Sequence, residues 1–113
     1  MREVLGGRKL ILAPLVGGSD LTFRLLCRKY GAEVTFTEMC QAIYFNNRDT
    51  VSKSGGGVVF EFDKSDRPLG LQIAANADEV DEAIKMANHP MFKGNVDWVD
   101  LNCGCPQVRN LEK

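Results

Sequence analysis

Four short apolar runs alternate with segments of helical periodicity along the chain, and this alternation predicts the fold. The runs are Lys9–Val16, Val34–Thr37, Leu69–Ala74 and Val96–Leu101. Continuous runs of this length fit strands that are buried on both faces of a parallel sheet. Strands of this kind, alternating with helices, favour right-handed crossovers, so the pattern predicts an α/β fold with a parallel sheet.

Three helices are predicted between these strands. Leu21–Tyr30 carries leucines at helical spacing, with Ser19 or Asp20 placed to cap its start and Gly31 just past its end. The stretch Cys40–Phe45 has the length of a short helix.

The third helix is predicted from Asn76, because Glu79 follows it at the spacing of a capping box. Residues 46–57 are rich in Asn, Ser and Gly and indicate a loop, and residues 58–62 indicate a minor extended segment. The apolar stripe predicted for the third helix is Val80, Ala83, Ile84 and Ala87.

Length and charge limit the function classes. The chain has 113 residues, which suits one small domain, and its net charge of -1 gives no bulk attraction to nucleic acid or membrane. No apolar run approaches the ~20 residues needed to cross a bilayer. Four cysteines without a secretion signal indicate reduced thiols in a cytoplasmic protein. Cys103 and Cys105 form a C-x-C pair, but Cys27, Cys40 and His89 are scattered, so no metal site is predicted.

Polar side chains follow the last apolar run. Asn102 and Cys105 come directly after it, and Gly104 and Pro106 do not extend a central strand comfortably. The carboxyl ends of strands are where α/β folds place ligands and chemistry, which makes this a candidate site. The alternative is a reduced, half-buried cysteine in an ordinary turn.

Gln72 is the one polar side chain within its apolar run. A buried amide needs hydrogen-bond partners, and its donor and acceptor match a planar ring edge with adjacent C=O and N–H groups. Flavin and uracil both have such an edge. The alternative is an amide that caps a loop carbonyl. Glu38, at the end of another run, is interpreted as a carboxylate that anchors a loop or caps a helix.

Five segments together resemble the tRNA-dihydrouridine synthases, in the family's order and at its approximate spacing. They are Leu12–Leu15, Phe23–Ala32, Thr37–Met39, Gly70–Ile73 and Asp100–Pro106. The resemblance covers the chain from about Leu10 to Gln107. The Asn-x-x-Cys-Pro element by itself would also suit flavoproteins of the dihydroorotate dehydrogenase type.

The resemblance implies a partial (β/α)8 TIM barrel, about the first four β/α units, with FMN at the carboxyl rim. Residues 1–113 would be the N-terminal portion of this FMN-binding domain, and the C-terminal half-barrel and helical tRNA-binding domain are expected to be absent. The implied reaction is reduction of the C5=C6 bond of a uridine in tRNA, with NADPH as the reductant of the flavin.

Site residues follow from the same resemblance. Gln72 would hydrogen-bond the isoalloxazine edge, Asn102 would hold the substrate base, and Cys105 would be the general acid that protonates C5. Cysteine thiols ordinarily keep their proton at neutral pH, as this role requires. The flavin would lie along Ala13, Pro14 and Leu15.

A non-catalytic alternative remains. A complete barrel takes about 250 residues, and an open four-stranded sheet leaves two edges unpaired. The chain would then be a half-barrel that self-associates, or pairs with another chain, through its exposed sheet edges. A different FMN-dependent barrel oxidoreductase, of the dihydroorotate dehydrogenase type, is the third alternative.

Overall fold

The computed structural model describes Gly7 and residues 10–47 and 58–105. The helices within these ranges are α1 Leu21–Lys29, α2 Ala42–Asn46 and α3 Val80–Ala87, with a 3-10 turn at Pro90–Phe92. The strands are β1 Thr35–Phe36, β2 Cys40–Gln41, β3 Leu69–Ala74 and β4 Trp98–Leu101.

The strands form one parallel sheet with β3 at its centre. Gly70 of β3 pairs with Phe36 of β1 on one side and with Trp98 of β4 on the other. β2 pairs with the last two residues of β3, along the same edge as β1. All six residues of β3 are buried. The predicted α/β fold with a parallel sheet is confirmed.

The first predicted strand is reduced to a single bridge. Among the described residues of this run, 10–16, only Ile11 pairs with another strand position, through a parallel bridge to Val34. Leu10 is 58% exposed and Ile11 is 48% exposed, so the expected burial on both faces is wrong here. A strand is buried on both faces only where other elements pack against both of them, and the described residues do not pack fully against this run. Lys9 itself lies outside the described residues.

The first helix agrees with the sequence pattern. Asp20 is the N-cap of α1, and its Oδ1 accepts a hydrogen bond from the backbone N–H of Phe23 at 2.7 Å. Gly31 follows the C-cap with φ of 105°, a left-handed conformation that favours glycine.

The start of α3 differs from the prediction. The helix begins at Val80 with Glu79 as its N-cap, so Asn76 does not cap it. Glu79 Oε2 instead accepts the backbone N–H of Asn76 at 3.0 Å. This is one half of a capping box, and together with the bond from the Glu79 backbone N–H to the Asn76 carbonyl oxygen it closes a turn directly before the helix.

The apolar stripe of α3 is also rotated. Val80 and Ile84 are each more than half exposed, whereas Met86, which is not part of the predicted stripe, is fully buried. Ala83 and Ala87 pack against the core beside Met86. The helical spacing was therefore read correctly, but the buried face is set by contact with β3 and α2, which the pattern does not reveal.

Aromatic rings fill the space between the sheet and the helices. Phe92 packs edge-on against Phe60, with ring centroids 5.0 Å apart, and Phe45 packs edge-on against His89 at 5.1 Å. Residues 58–62 form no regular element, yet Phe60 and Phe62 both pack on this core. Most of the predicted loop over residues 46–57 lies outside the described residues.

A buried carboxylate joins α1 to the amino ends of the strands. Asp66, fully buried just before β3, accepts hydrogen bonds at 2.7 Å from Arg24 Nε, Arg28 Nε and Thr35 Oγ1. Burial acts to raise the pKa of Asp66, but the hydrogen bonds from Arg28, Arg24 and Thr35 outweigh it and hold the pKa below its ordinary value. Arg28 also donates to the carbonyl oxygen of Pro68 at 2.8 Å.

The face of β3 that points away from the helices is closely packed at Gly70. The rings of Phe36 and Trp98 meet edge-on across it, with centroids 5.8 Å apart. A Cβ added at Gly70 would lie 2.5 Å from Phe36 Cδ1 and 2.7 Å from Trp98 Nε1. Only glycine therefore allows these two rings to approach.

Replacing Asp66 with asparagine is expected to lower the free energy of unfolding by about 3 kcal/mol at neutral pH, because the buried guanidinium of Arg24 and the partly buried guanidinium of Arg28 lose their carboxylate. Because the folded-state pKa lies below the ordinary 3.8, this stabilisation is present above that value and is lost as the pH falls through the folded-state pKa. Urea unfolding followed by circular dichroism at several pH values measures both effects.

Asp81→Asn, at an exposed carboxylate in α3, is the matched control and should keep the wild-type pH dependence. The carboxyl groups of Asp63 and Asp97, whose pKa values are also lowered by hydrogen bonding against the effect of burial, remain in every variant. Parallel pH curves for wild type and Asp66→Asn would contradict the assignment.

Gly70→Ala is expected to cost about 1–3 kcal/mol of stability, because the added methyl group must displace an aromatic ring. The chain has one tryptophan, so a change in fluorescence reports directly on Trp98. Gly104→Ala is the control, since an added Cβ there meets nothing within 4 Å. Unchanged stability and emission in Gly70→Ala would show that the rings have room to move.

Candidate functional site

The candidate site lies at the carboxyl ends of β3 and β4, on the face opposite the helices. Leu71 and Ile73 point into the aromatic core, so the alternation of a strand places Gln72 on the other face. Asp100 of β4 stands directly beside Gln72 in the register of the parallel pair. This polar pair comes one pleat after the ring contact at Gly70.

The amide of Gln72 is buried and bonded at both ends. Its Nε2 donates to Asp100 Oδ2 at 2.6 Å, and its Oε1 accepts from Asn102 Nδ2 at 3.2 Å. Gln72 is 7% exposed. The alternative in which this amide caps a loop carbonyl is therefore not what the structure shows, because both of its partners are side chains of the β4 segment.

Asn102 connects this pair to the loop that carries Cys105. Its backbone N–H donates to the carbonyl oxygen of Ile73 at 2.9 Å, which continues the ladder by one residue. Its Oδ1 accepts the backbone N–H groups of Gly104 at 3.1 Å and Cys105 at 2.9 Å. An asparagine side chain that binds the following backbone in this way turns the chain sharply.

The two cysteines of this loop differ in surroundings. Cys105 is half-buried and its backbone is held by Asn102, whereas Cys103 is exposed. Pro106 lies outside the described residues. The structure therefore brings Gln72, Asn102 and Cys105 into one hydrogen-bonded unit.

The other predicted residues lie on a neighbouring loop. Ala13 and Leu15 are exposed and Pro14 is half-buried. The backbone N–H of Leu15 donates to Ser19 Oγ at 2.7 Å, within a short turn. Among the described residues, no hydrogen bond joins this loop directly to the unit of Gln72, Asn102 and Cys105.

Thr37 and Glu38 connect the two parts. Glu38 Oε2 accepts the backbone N–H of Gly17 at 2.6 Å, so the interpretation of Glu38 as a loop anchor is confirmed. Thr37, fully buried at the end of β1, accepts the backbone N–H of Gln72 through its Oγ1 at 3.1 Å. The rim thus runs continuously from the loop at Pro14 to the loop at Cys105.

Asp100 and Thr37 both bind Gln72, and neither contact was predicted from the sequence. Asp100 interrupts an apolar run, as Gln72 does, and it lies two residues before Asn102, so strand alternation puts both on one face. This signal was available in the sequence. The contact of Thr37 was not, because it depends on the register of β1 against β3.

Within residues 10–47 and 58–105, no group of three or more His, Cys, Asp or Glu side chains is arranged to hold a metal ion. No helix in that part of the chain is long and apolar enough to cross a membrane.

Comparison with known proteins gives relatives that share most of this chain. It is 35% identical over 106 residues to a tRNA-dihydrouridine(16/17) synthase-like protein, NAD(P)(+), of Rattus norvegicus, which covers 94% of this chain and 23% of the relative. It is 36% identical over 110 residues to the tRNA-dihydrouridine(16/17) synthase, NAD(P)(+), of Saccharomyces cerevisiae, covering 93% of this chain and 24% of the relative.

A bacterial relative extends the comparison. The chain is 33% identical over 107 residues to a probable tRNA-dihydrouridine synthase of Helicobacter pylori, covering 86% of this chain and 28% of the relative. The chain therefore spans about a quarter of the length of these relatives. No solved structure matches it.

The family comparison covers almost the whole chain, including every residue of the rim. The match to the dihydrouridine synthase family runs over residues 11–113. It includes the loop at Pro14, the buried amide of Gln72 and the Asn102–Cys105 turn. The chain belongs to the dihydrouridine synthase (Dus) family.

Proposed function

We propose that this chain contributes the flavin-facing rim of an enzyme that reduces uridine to 5,6-dihydrouridine in tRNA, with FMN as cofactor and NADPH as reductant. The observation that carries the proposal is the hydrogen-bonded unit of Gln72, Asn102 and Cys105 at the carboxyl ends of β3 and β4. In parallel α/β folds this end of the sheet is where catalytic residues stand. Membership of the Dus family supports the same activity.

The sheet is proposed to be part of a (β/α)8 barrel, to which residues 1–113 contribute about the first four units. The bridge at Ile11, then β1, β3 and β4, follow one another as parallel neighbours. That is the strand order in which such a barrel begins. The C-terminal half-barrel and a helical tRNA-binding domain would complete the enzyme outside this segment.

The residues of the rim fit a flavin edge. An amide has two N–H donors and two acceptor lone pairs, and Gln72 uses one of each within the site. One N–H and one lone pair remain, which is the complement of adjacent C=O and N–H groups on a planar ring. The exposed surfaces of Ala13 and Leu15, and the half-buried Pro14, are available to lie along that ring.

FMN, when bound, would supply the hydride that adds to C6 of the uracil. Asn102 is proposed to hold that base. Its Oδ1 already accepts two backbone N–H groups, so its side chain retains one N–H and can bind only an acceptor, such as a uracil carbonyl oxygen. A base in folded RNA must leave its stack to reach such a site.

Cys105 is proposed to donate the proton of its Sγ–H to C5. General acids act from within hydrogen-bond reach of the atom they protonate, so their backbone must be placed accurately. Here the amide that would bind the base also holds the backbone of Cys105 at 2.9 Å. Binding of the base and placement of the acid therefore depend on one side chain, Asn102.

The tRNA substrate would be bound mostly by other parts of the enzyme. Affinity for RNA comes largely from basic side chains that neutralise phosphates. This chain has 14 Lys and Arg against 15 Asp and Glu, so it carries no basic excess. Its contribution would be chemistry at the base rather than attraction of the phosphate backbone.

Gln72→Ala is expected to weaken FMN binding by about 1–3 kcal/mol, because the ring edge loses its amide partner. Titration of FMN followed by the shift of its visible absorption measures the change. Asn95→Ala is the control, since that exposed amide stands on the loop before β4, away from the rim.

Equal FMN affinity in wild type and Gln72→Ala would contradict the assignment of Gln72. If the wild-type chain retains no FMN at micromolar concentration and elutes as a dimer, the non-catalytic alternative is favoured. The outer edge of β4 has no partner strand among the described residues, and Val99 and Leu101 are each about half exposed there.

Cys105→Ala, made in the complete reading frame that encodes this chain, is expected to lower uridine reduction by about 10²–10⁴-fold, as loss of a general acid does. FMN content and the rate of flavin reduction by NADPH should be unchanged. Dihydrouridine in tRNA, measured by mass spectrometry, gives the first value, and stopped-flow absorption gives the second.

Cys103→Ala is the matched control, because Cys103 is the exposed cysteine two residues away. It should retain both activities. A Cys105→Ala protein that loses FMN as severely as it loses uridine reduction would identify Cys105 as a structural residue instead.

A further inference from the structure

Among the described residues, Asp100 is the one carboxylate bonded to the Gln72–Asn102 pair, and the proposed function leaves it without a role. We propose that Asp100 is a positioning residue that sets the direction of the hydrogen bond between the two amides, in which Asn102 donates to Gln72. With that direction, Asn102 presents an N–H, and no acceptor, to the bound base. The identity of the base rests on the proposed function, whereas the direction of the bonds does not.

At one end of the pair, Gln72 meets the carboxylate of Asp100. An ionised carboxylate only accepts hydrogen bonds, so the atom of Gln72 that lies 2.6 Å from Asp100 Oδ2 must be its nitrogen. The amide oxygen of Gln72 is then the atom that faces Asn102, and it can only accept. Asn102 must therefore donate through Nδ2 across the 3.2 Å contact.

At the other end of the pair, Asn102 meets two backbone N–H groups of the following loop. The backbone N–H groups of Gly104 and Cys105 only donate, and both meet Asn102 Oδ1. Reversing the amides would place donors against donors in this loop and an oxygen against the carboxylate of Asp100. The two ends of the unit therefore require the same direction.

Asp100 is the more secure of the two ends. It lies within β4, directly opposite Gln72 in the strand register, so the ladder holds both backbones. Gly104 is in an exposed loop, where water competes for the same groups. A site works best when its contacts are placed before the ligand arrives, and the strand pair provides this.

The direction has a consequence for base selection. Uracil carries a carbonyl oxygen at C4, which accepts, whereas cytosine carries an amino group there, which donates. A contact of Asn102 with position 4 of the base would therefore favour uracil, because the remaining N–H of Asn102 can donate to the carbonyl oxygen of uracil but cannot bind the amino group of cytosine. Asp100, two bonds away, would thereby contribute to the choice of uridine over cytidine without touching either base.

The test compares Asp100→Leu and Asp100→Asn with the control Asp81→Asn, which removes an exposed carboxylate from α3. Amide hydrogen exchange measured by NMR follows the backbone N–H of Cys105, with that of Leu71 in the centre of β3 as the internal reference. No ligand is needed for this measurement.

Asp100→Leu is expected to raise the exchange rate of the Cys105 N–H about tenfold relative to Leu71, as loss of a hydrogen bond to a charged group does. Asp100→Asn should raise it less, about threefold, because its oxygen still accepts but without the charge. Asp81→Asn should not change the ratio. A purely structural role would raise both rates by the same factor.

An unchanged ratio in Asp100→Asn overturns the proposal, even if Asp100→Leu fails to fold. Titration with FMN separates this inference from the proposed function. If wild type binds FMN and the exchange ratio does not respond to either Asp100 variant, only the inference fails. If the ratio responds as expected but wild type binds no FMN, the inference stands and the proposed function of this chain fails.

Discussion

The register of β3 against β4 is the constraint on which the candidate site depends. Parallel pairing sets Gln72 beside Asp100, and the next step of the ladder holds Asn102 against Ile73. A slip of one residue would turn the polar side chains of one strand toward the aromatic core. The register is secured because β3 is buried throughout and paired on both edges, so every alternative buries unpaired polar groups.

The two ends of the sheet are held by different chemistry. At the amino ends, Asp66 binds two arginines in a buried cluster, and Arg67 pairs with Asp97 at the start of β4. At the carboxyl ends, neutral amides join Gln72 to Asn102. Ion pairs at one end hold the strands in place, while the amides at the other end keep donors and acceptors that a ligand can use.

Several features of the fold followed from the pattern of apolar positions. β3 has the bounds that its apolar run predicts, and α1 begins directly after its N-cap Asp20 and ends before Gly31, as its capping residues indicate. The exposed flank of α3 and the incomplete first strand did not follow. Burial depends on which elements lie alongside, and the same helical spacing permits more than one face to be buried.

The family, the parallel α/β class and the residue types at the strand ends could all be predicted from the order of the amino acids, because these features depend on local runs and on motif spacing. The folded structure was needed to show that Gln72 uses one N–H and one acceptor lone pair of its amide to bind Asp100 and Asn102. It was also needed to show that Asn102 has no acceptor left. The reason is that a hydrogen bond depends on the distance and direction between two groups. These groups belong to chain segments about thirty residues apart, which meet only when β3 and β4 pair.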